Sequence, residues 1–174
     1  MKISLLLSIL IIPIVLIGLV YFFVTLDVLE KWMDGYFSIP QIEAADLQLQ
    51  LNSSDSSNTV IFDVRTPEEF ERSHLKSAIR LNPGMAGAEF ETAFGENVHG
   101  KRLVFYCSVG ARSSMLAERV KESLSSHQTQ EILNLRGGIF RWYNEGLPVH
   151  NQDGATDDVH PYDLFWGKLL KKRH

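Results

Sequence analysis

The chain has 174 residues, of which 45% are apolar and 22% are charged, and this composition excludes general disorder. Acidic residues outnumber Lys and Arg by 21 to 17, so the charge does not favour a nucleic-acid partner. The chain has a single cysteine, so no disulfide can form within it, and this thiol serves either packing or chemistry.

The N-terminal segment is a predicted membrane anchor. No charged residue occurs from Ile3 to Leu26, and a helix needs about 20 such residues to cross a hydrocarbon core. A cleaved secretory signal has an apolar region of roughly 7 to 15 residues followed by small residues, whereas this run ends in YFFVTL. The pattern favours an uncleaved single-pass anchor at 1–27 over a cleaved signal.

Two lysines bear on the orientation of this anchor: Lys2 precedes the apolar run and Lys31 follows it. Lys2 and the α-amino group together favour an N-terminus in the cytoplasm. The remainder of the chain would then lie outside the cytoplasm, as a bacterial periplasmic domain does. We expect a juxtamembrane linker at 28–36, a folded domain at 37–150 and a tail at 151–174.

Strand and helix patterns alternate through the predicted domain. A brief strand is predicted at Phe37–Ile39 and a helix at Gln41–Leu51, and further strands are predicted at Thr59–Val64, Ala78–Leu81, Arg102–Tyr106 and Glu131–Leu135. Thr66-Pro67-Glu68-Glu69 has the pattern of a capping box that starts a helix, and helices are also predicted at Ala111–Leu124 and Ile139–Glu145. The alternation predicts an α/β domain with a mainly parallel, doubly wound sheet.

The only cysteine, Cys107, directly follows an apolar strand and precedes a predicted helix. Ligands bind at the carboxyl ends of parallel strands, and the free N–H groups of a helix N-terminus stabilise an anion such as a thiolate. Arg112 is a nearby cation, and Gly110 lets the backbone curl around a central anion. The competing interpretation is a small buried core residue, which is common for cysteine.

Four features together resemble the rhodanese family over residues 38–149. They are the segment around Asp63-Val64-Arg65, the loop CSVGAR at 107–112, the Gly137-Gly138 pair with Trp142 and Gly146-Leu147-Pro148 behind it, and the order and spacing of these three. The chain departs from the family at Ser73 and Ser77, where Gly often stands. Its loop also has Ser108 and Val109 where many thiosulfate-using members carry further basic residues.

The resemblance implies a sulfurtransferase that needs no metal or organic cofactor. Cys107 would take sulfur from a donor such as thiosulfate, hold it as a persulfide and pass it to cyanide or a thiol. Backbone amides of the loop would stabilise the thiolate and the persulfide, and Arg112 would bind the anionic end of the donor. The predicted loop residues are Ser108, Val109, Gly110, Ala111 and Arg112.

Three polar residues at or after the end of the strand predicted at Thr59–Val64 are expected to support the structure rather than to react. Asp63 is predicted to accept loop N–H groups, and Arg65 is predicted to pair with Glu69. His74 is predicted to be a hydrogen-bonded scaffold residue, because a thiolate stabilised by helix N–H groups needs no separate base.

Other functions remain open from the sequence. Related folds with a Cys-to-Arg anion loop act as phosphatases or arsenate reductases, but their loops place five residues between Cys and Arg, and here there are four. A second alternative is a membrane-tethered binding or regulatory module that does not react.

The C-terminal tail mixes aromatic, leucine and basic residues over FWGKLLKKRH at 165–174. It is compatible with a short amphipathic helix on an anionic membrane surface. A segment that packs on the domain with a solvated basic end fits the pattern equally well.

Overall fold

The structure is a computed structural model that describes residues 12–16, 18–19, 23–124 and 131–173. Much of the predicted anchor, including residues 3–11, 17 and 20–22, lies outside the described residues. Within the described ranges, no helix has both the length and the apolar character that a membrane crossing requires.

A five-stranded parallel sheet forms the centre of the domain, which confirms the predicted α/β class. Its strands stand in the order β1-β5-β4-β2-β3, and β6 and β7 form a separate antiparallel hairpin. The bounds are β1 Gln41–Ile42, β2 Thr59–Asp63, β3 Ile79–Arg80, β4 Arg102–Tyr106, β5 Glu131–Leu135, β6 Val149–Asn151 and β7 Gly154–Thr156.

Helices cover both faces of this sheet. They are α1 Leu26–Tyr36, α2 Ala44–Leu51, α3 Pro67–Arg72, α4 Gly87–Phe94, α5 Ala111–Ser123, α6 Gly138–Asn144 and α7 Leu164–Gly167, with short 3-10 turns at Ser56–Asn58 and Gly95–Val98. Along β4, Leu103 and Phe105 join the core beneath α4 and α5, while Val104 and Tyr106 join the core beneath α2 and α6. This alternation places the end of β4 between two apolar layers.

Three expectations about secondary structure need correction. The strand predicted at Phe37–Ile39 forms instead at Gln41–Ile42, because pairing with β5 starts at the carbonyl of Pro40, which accepts a hydrogen bond from Asn134 N at 2.9 Å. The helix predicted from Gln41 consequently starts at Ala44. The segment expected as a linker at 28–36 lies within helix α1, capped by the Thr25 hydroxyl.

Helix α1 packs against the domain rather than extending away from it. Its Leu26 and Met33 side chains are buried, and Glu30 pairs with Arg141 at 2.8 Å. Asp34 pairs with Arg136 at 2.7 Å. The charged contacts lie between α1 and the β5–α6 region, so α1 is attached to the part of the domain next to the predicted loop.

Asp63 and Arg65 form a fully buried ion pair at the end of β2. Arg65 Nη2 lies 2.6 Å from the Asp63 carboxylate, and both side chains are 0% exposed. Arg65 Nη2 also donates to the carbonyl of Ser73 at 2.5 Å, which ties the strand end to the end of α3. The expectation that Arg65 pairs with Glu69 is therefore wrong, since the nearer carboxylate of Asp63 holds the guanidinium.

Removal of one member of this pair should destabilise the domain, because the other charge would stay buried without its partner. We expect Asp63→Ala to lower the free energy of unfolding by about 3–5 kcal/mol, measured by urea denaturation at neutral pH. The control Asp158→Ala breaks an exposed pair with Arg72, spaced at 3.1 Å, and should cost less than about 1 kcal/mol. Equal losses in both variants would contradict this assignment.

Candidate active site

Cys107 lies at the carboxyl end of the central strand β4, directly before helix α5. Its side chain is 1% exposed, and its sulfur accepts a hydrogen bond from the Gly110 N–H at 3.2 Å. Gly110 has φ +107°, a left-handed conformation that favours glycine and that turns the loop back onto the sulfur. The thiol therefore faces the first turn of α5, as the sequence predicts.

The same loop is held from the other side by helix α6. The N–H groups of Ile139 and Phe140 donate to the carbonyls of Cys107 and Ser108, at 2.9 and 3.1 Å. A Cβ atom at Gly138 would overlap both of these carbonyl oxygens, so this close approach requires glycine. Gly138 thus has a direct role in shaping the cysteine loop.

Glu69 of α3 is the polar residue that links the first half of the domain to the loop. Arg112 donates to both oxygens of its carboxylate, at 2.8 and 2.9 Å, and Ser108 Oγ donates to one of them at 2.7 Å. Arg112 also donates to Ser108 Oγ at 2.9 Å. The result is a three-residue network beside the sulfur in which the carboxylate accepts from both loop residues.

The pKa of Glu69 reflects this network. Burial by itself would raise the pKa of the carboxyl, but hydrogen bonds from Arg112, Ser108 and the Thr66 N–H outweigh it and lower the pKa to about 2. Burial would lower the pKa of Arg112, yet the hydrogen bond to Glu69 and the interaction with Cys107 raise it. Both groups are therefore charged throughout the physiological range.

A pocket of about 150 Å³ opens onto Cys107. Residues of the loop line it together with two aromatic residues of the tail, Tyr162 and Trp166. The guanidinium carbon of Arg112 lies 5.0 Å from the centre of the Tyr162 ring. A larger depression of about 580 Å³ lies elsewhere, at the amino-terminal ends of the strands near Thr59 and Lys101.

Four of the five predicted loop residues line the pocket with Cys107: Ser108, Val109, Ala111 and Arg112. The fifth, Gly110, contacts the sulfur through its N–H. Asp63 and Arg65 do not line this pocket and contact each other instead. His74 Nδ1 lies 2.8 Å from the carbonyl of His150, in a bridge between the two backbone segments. This contact agrees with a scaffold role for His74.

Sequence reasoning missed the two aromatic residues of the wall and the partner of Arg112. The only sequence feature that pointed to these aromatic pocket residues was the aromatic content of the tail. This content is equally compatible with a helix on a membrane surface. In the structure the tail packs on the domain: Asn144 Nδ2 donates to the carbonyl of Leu169 at 2.7 Å, and Arg173 donates to the carbonyl of Leu147 at 2.8 Å.

Comparison with known families agrees with this geometry. The family model described as the Rhodanese-like domain matches residues 43–145, which include Glu69, the whole cysteine loop and the Gly-Gly turn. The chain belongs to the rhodanese-like family. The match covers four of the five strands of the sheet, β2 to β5, and helices of both layers, so these elements and the cysteine loop belong to one rhodanese-like domain.

Curated relatives of this rhodanese-like chain include proteins named as sulfurtransferases. One from Allochromatium vinosum is 28% identical over 116 residues, covering 67% of this chain and 99% of that protein. A tRNA sulfurtransferase from Thermoplasma volcanium is 27% identical and covers 66% of this chain, but this chain spans only 19% of its length.

Among solved structures, a thiosulfate sulfurtransferase from Pseudomonas aeruginosa superposes with a TM-score of 0.54 at 18% identity. The superposition covers 75% of this chain and 25% of that one. At this identity the likeness concerns the rhodanese fold alone.

The low pKa of Glu69 makes a pH-dependent contribution to stability. A carboxyl with a pKa lowered on folding stabilises the protein above its ordinary pKa, and the stabilisation is lost as the pH falls through the folded value. We expect wild type to be more stable than Glu69→Gln at pH 7, and the difference to shrink from about pH 4.5 towards pH 2. Urea denaturation across this range measures it.

The control is Glu71→Gln, which changes an exposed carboxylate on the same helix and should match wild type within about 0.5 kcal/mol. A stability difference between wild type and Glu69→Gln that stays constant from pH 7 to pH 2 would show that the carboxylate charge is not what holds the network.

Proposed function

We propose that this chain is a sulfurtransferase that carries sulfane sulfur as a persulfide on Cys107. The observation that supports the proposal is the position of its only thiol, which lies at a helix N-terminus next to Arg112 and opens into a pocket. Helix N–H groups and a neighbouring cation favour the anionic form of sulfur, which is the nucleophile.

The first step loads the cysteine. With thiosulfate as donor, the Cys107 thiolate attacks the outer sulfur, the bond between Sγ and this sulfur forms, and the sulfur–sulfur bond of the donor breaks. Sulfite leaves with the electron pair. Backbone N–H groups of Ser108 to Arg112 then stabilise the negative charge on the persulfide, in the way that an oxyanion hole stabilises oxygen.

The second step unloads the cysteine. A cyanide ion or an external thiolate attacks the outer sulfur, and Cys107 leaves as a thiolate ready for another cycle. Because Cys107 is the chain's only cysteine, the acceptor has to be another molecule. Every bond change occurs at sulfur, so the scheme includes neither a metal nor an organic cofactor.

The contacts of Arg112 refine its expected role. The sequence predicts that it binds the anionic end of the donor, but both of its Nη atoms donate to Glu69. We assign it to the stabilisation of charge on Cys107 and on its persulfide, since both residues line the same pocket. The network with Glu69 fixes the guanidinium beside the sulfur, so little reorganisation is needed during transfer.

The two alternatives have weaker support. A phosphatase or arsenate reductase needs a loop that encloses a tetrahedral oxyanion, and the loop here has four residues between Cys107 and Arg112. A binding module without chemistry would not need a cysteine beside helix N–H groups and a paired arginine. The short spacing between Cys107 and Arg112 and the surroundings of the cysteine both favour sulfur transfer.

We place this activity at a membrane, with the apolar run that precedes helix α1 as the anchor and the domain in the periplasm. Exposed apolar side chains on helix α1 support this placement: Val28, Trp32 and Tyr36 lie four residues apart and are 52%, 57% and 68% exposed. The Trp32 and Tyr36 rings stack with centroids 5.0 Å apart. Trp and Tyr are enriched where a protein meets the headgroup region of a bilayer.

Loading of Cys107 tests the proposed function. Purified full-length chain treated with thiosulfate should gain the mass of one sulfur atom, and cyanide should remove it with release of thiocyanate. The variant Cys107→Ser should gain nothing, because a serine hydroxyl is not ionised at neutral pH. The control Ser123→Ala, at the far end of α5, should load like wild type.

Intact mass spectrometry and thiocyanate release are the two measurements. Wild-type protein that stays unmodified with thiosulfate and with organic sulfane-sulfur donors would contradict the proposal, as would sulfur transfer by the serine variant.

The proposed location has its own test. In a Cys107→Ser background, L164C introduces a single thiol at a position that is 94% exposed. We expect a membrane-impermeant maleimide to label this thiol in bacterial cells whose outer membrane is permeabilised and whose inner membrane is intact. Labelling only after the inner membrane is lysed would contradict the periplasmic placement, and recovery of the unlabelled chain in the soluble fraction would contradict the anchor.

A further inference from the structure

The tail aromatics contact the site in a way that the two transfer steps leave unexplained. Tyr162 and Trp166 line the pocket at Cys107, although they stand more than fifty residues later in the chain. Val109 and Ala111 of the loop also line this pocket. A sulfur donor that reaches Cys107 therefore meets aromatic rings and aliphatic side chains.

The backbone of the tail is built to hold these rings in place. Tyr162 has φ +67°, a left-handed conformation that is unfavourable for a bulky residue and that persists only where the surroundings impose it. The carboxylate of Asp163 caps the following turn by accepting from the N–H groups of Phe165 and Trp166, at 2.8 and 2.9 Å. The turn thus presents Trp166 at a fixed position.

Further contacts fasten the tail to the domain on the far side of the turn. Lys171 N donates to Asn144 Oδ1 at 2.7 Å, and Arg173 pairs with Asp157 at 3.1 Å. Arg173 also lies over the ring of Tyr143, 3.7 Å from its centre. These contacts are made to α6 and the segment after it, so the aromatic wall is attached to the same helix that holds the cysteine loop.

The charge of the site limits which donors fit it. Among the described residues that line the pocket, Arg112 is the one with a charge. This charge is matched by that of Glu69, and one face of the guanidinium is covered by Tyr162. Sulfur transfer requires only the negative charge that ends on the persulfide, whereas thiosulfate carries two negative charges. The second charge of thiosulfate would enter an apolar space. Removal of a charge from water without a partner is unfavourable.

On the basis of the sulfur-transfer function, we propose that Tyr162 and Trp166 are specificity-determining residues. They select sulfane-sulfur donors that carry an apolar organic group and one negative charge, such as organic thiosulfonates and persulfides, over inorganic thiosulfate. The pocket of about 150 Å³ is of the size that holds a benzene ring in an apolar protein cavity.

The reaction with an organic thiosulfonate is balanced in the same way as the reaction with thiosulfate. The Cys107 thiolate attacks the terminal sulfur of the donor, a new bond to Sγ forms, and the bond between the two donor sulfurs breaks. The organic sulfinate leaves with the electron pair. One negative charge enters on the donor and one leaves on the sulfinate, while the organic group lies against Trp166.

The test compares two probes, sodium benzenethiosulfonate and sodium thiosulfate, on the full-length chain in detergent. Intact mass gives the rate at which each probe converts Cys107 to its persulfide, and the readout is the ratio of the two rates. A change in this ratio between variants is independent of the intrinsic reactivity of the probes. We expect Trp166→Ala to lower the preference for benzenethiosulfonate by about tenfold or more, the effect of lost apolar contacts in a substrate pocket.

Tyr162→Ala should also lower the ratio of the benzenethiosulfonate rate to the thiosulfate rate. It should do so by raising the rate with thiosulfate, because the substitution uncovers the guanidinium of Arg112. The control Leu164→Ala changes a residue of the same turn that is 94% exposed, and its ratio should equal that of wild type. A thermal melt detects whether Trp166→Ala unfolds the tail. If it does, the ratio of the two rates is measured instead on Trp166→Leu, which keeps an apolar side chain against the core.

Ratios that stay within about twofold of wild type in both Tyr162 and Trp166 variants would overturn the selectivity proposal while leaving sulfur transfer intact. Failure of every probe to load wild-type Cys107 would overturn both proposals.

Discussion

The arrangement of the site depends on one buried carboxylate. Glu69 lies at the start of α3, is 1% exposed and accepts hydrogen bonds from Arg112 and Ser108 of the cysteine loop. A buried charge is tolerated only when it is paired and hydrogen-bonded, so α3 and the loop have to stay together. Because Arg112 is held in this way, a cation stays next to the only thiol, and the loop keeps its curved shape around the sulfur.

The fold supplies everything else that the loop needs. A parallel sheet brings the carboxyl ends of its strands to one edge, and β4 at its centre delivers Cys107 between two apolar layers. The N–H of Gly110, the N-cap residue of helix α5, donates to the sulfur, and helix α6 donates to the loop carbonyls. The tail then adds two aromatic residues to the pocket at Cys107, so in our proposal the chemistry at sulfur and the choice of donor reside in different parts of the chain.

Local signals in the sequence predicted the elements that carry the site. The apolar run Arg102–Tyr106 and the capping box at Thr66 and Glu69 both form where they were predicted, because short-range patterning determines them. Pairing across the chain was not predictable in this way. Glu69 and Arg112 are 43 residues apart, and Tyr162 reaches the pocket only because the hairpin and α6 position the tail. The linker expected at 28–36 forms helix α1, whose attachment depends on the contact of Glu30 with Arg141, 111 residues away in the sequence.

The most direct test of this account is the crystal structure of the protein after reaction with a sulfane-sulfur donor. The account predicts electron density for one additional sulfur atom bonded to Cys107 Sγ and directed into the pocket beside Arg112, with the Glu69 network unchanged. An unmodified Cys107 in protein exposed to reactive donors would contradict it. So would an added sulfur that points away from the N–H groups of the loop.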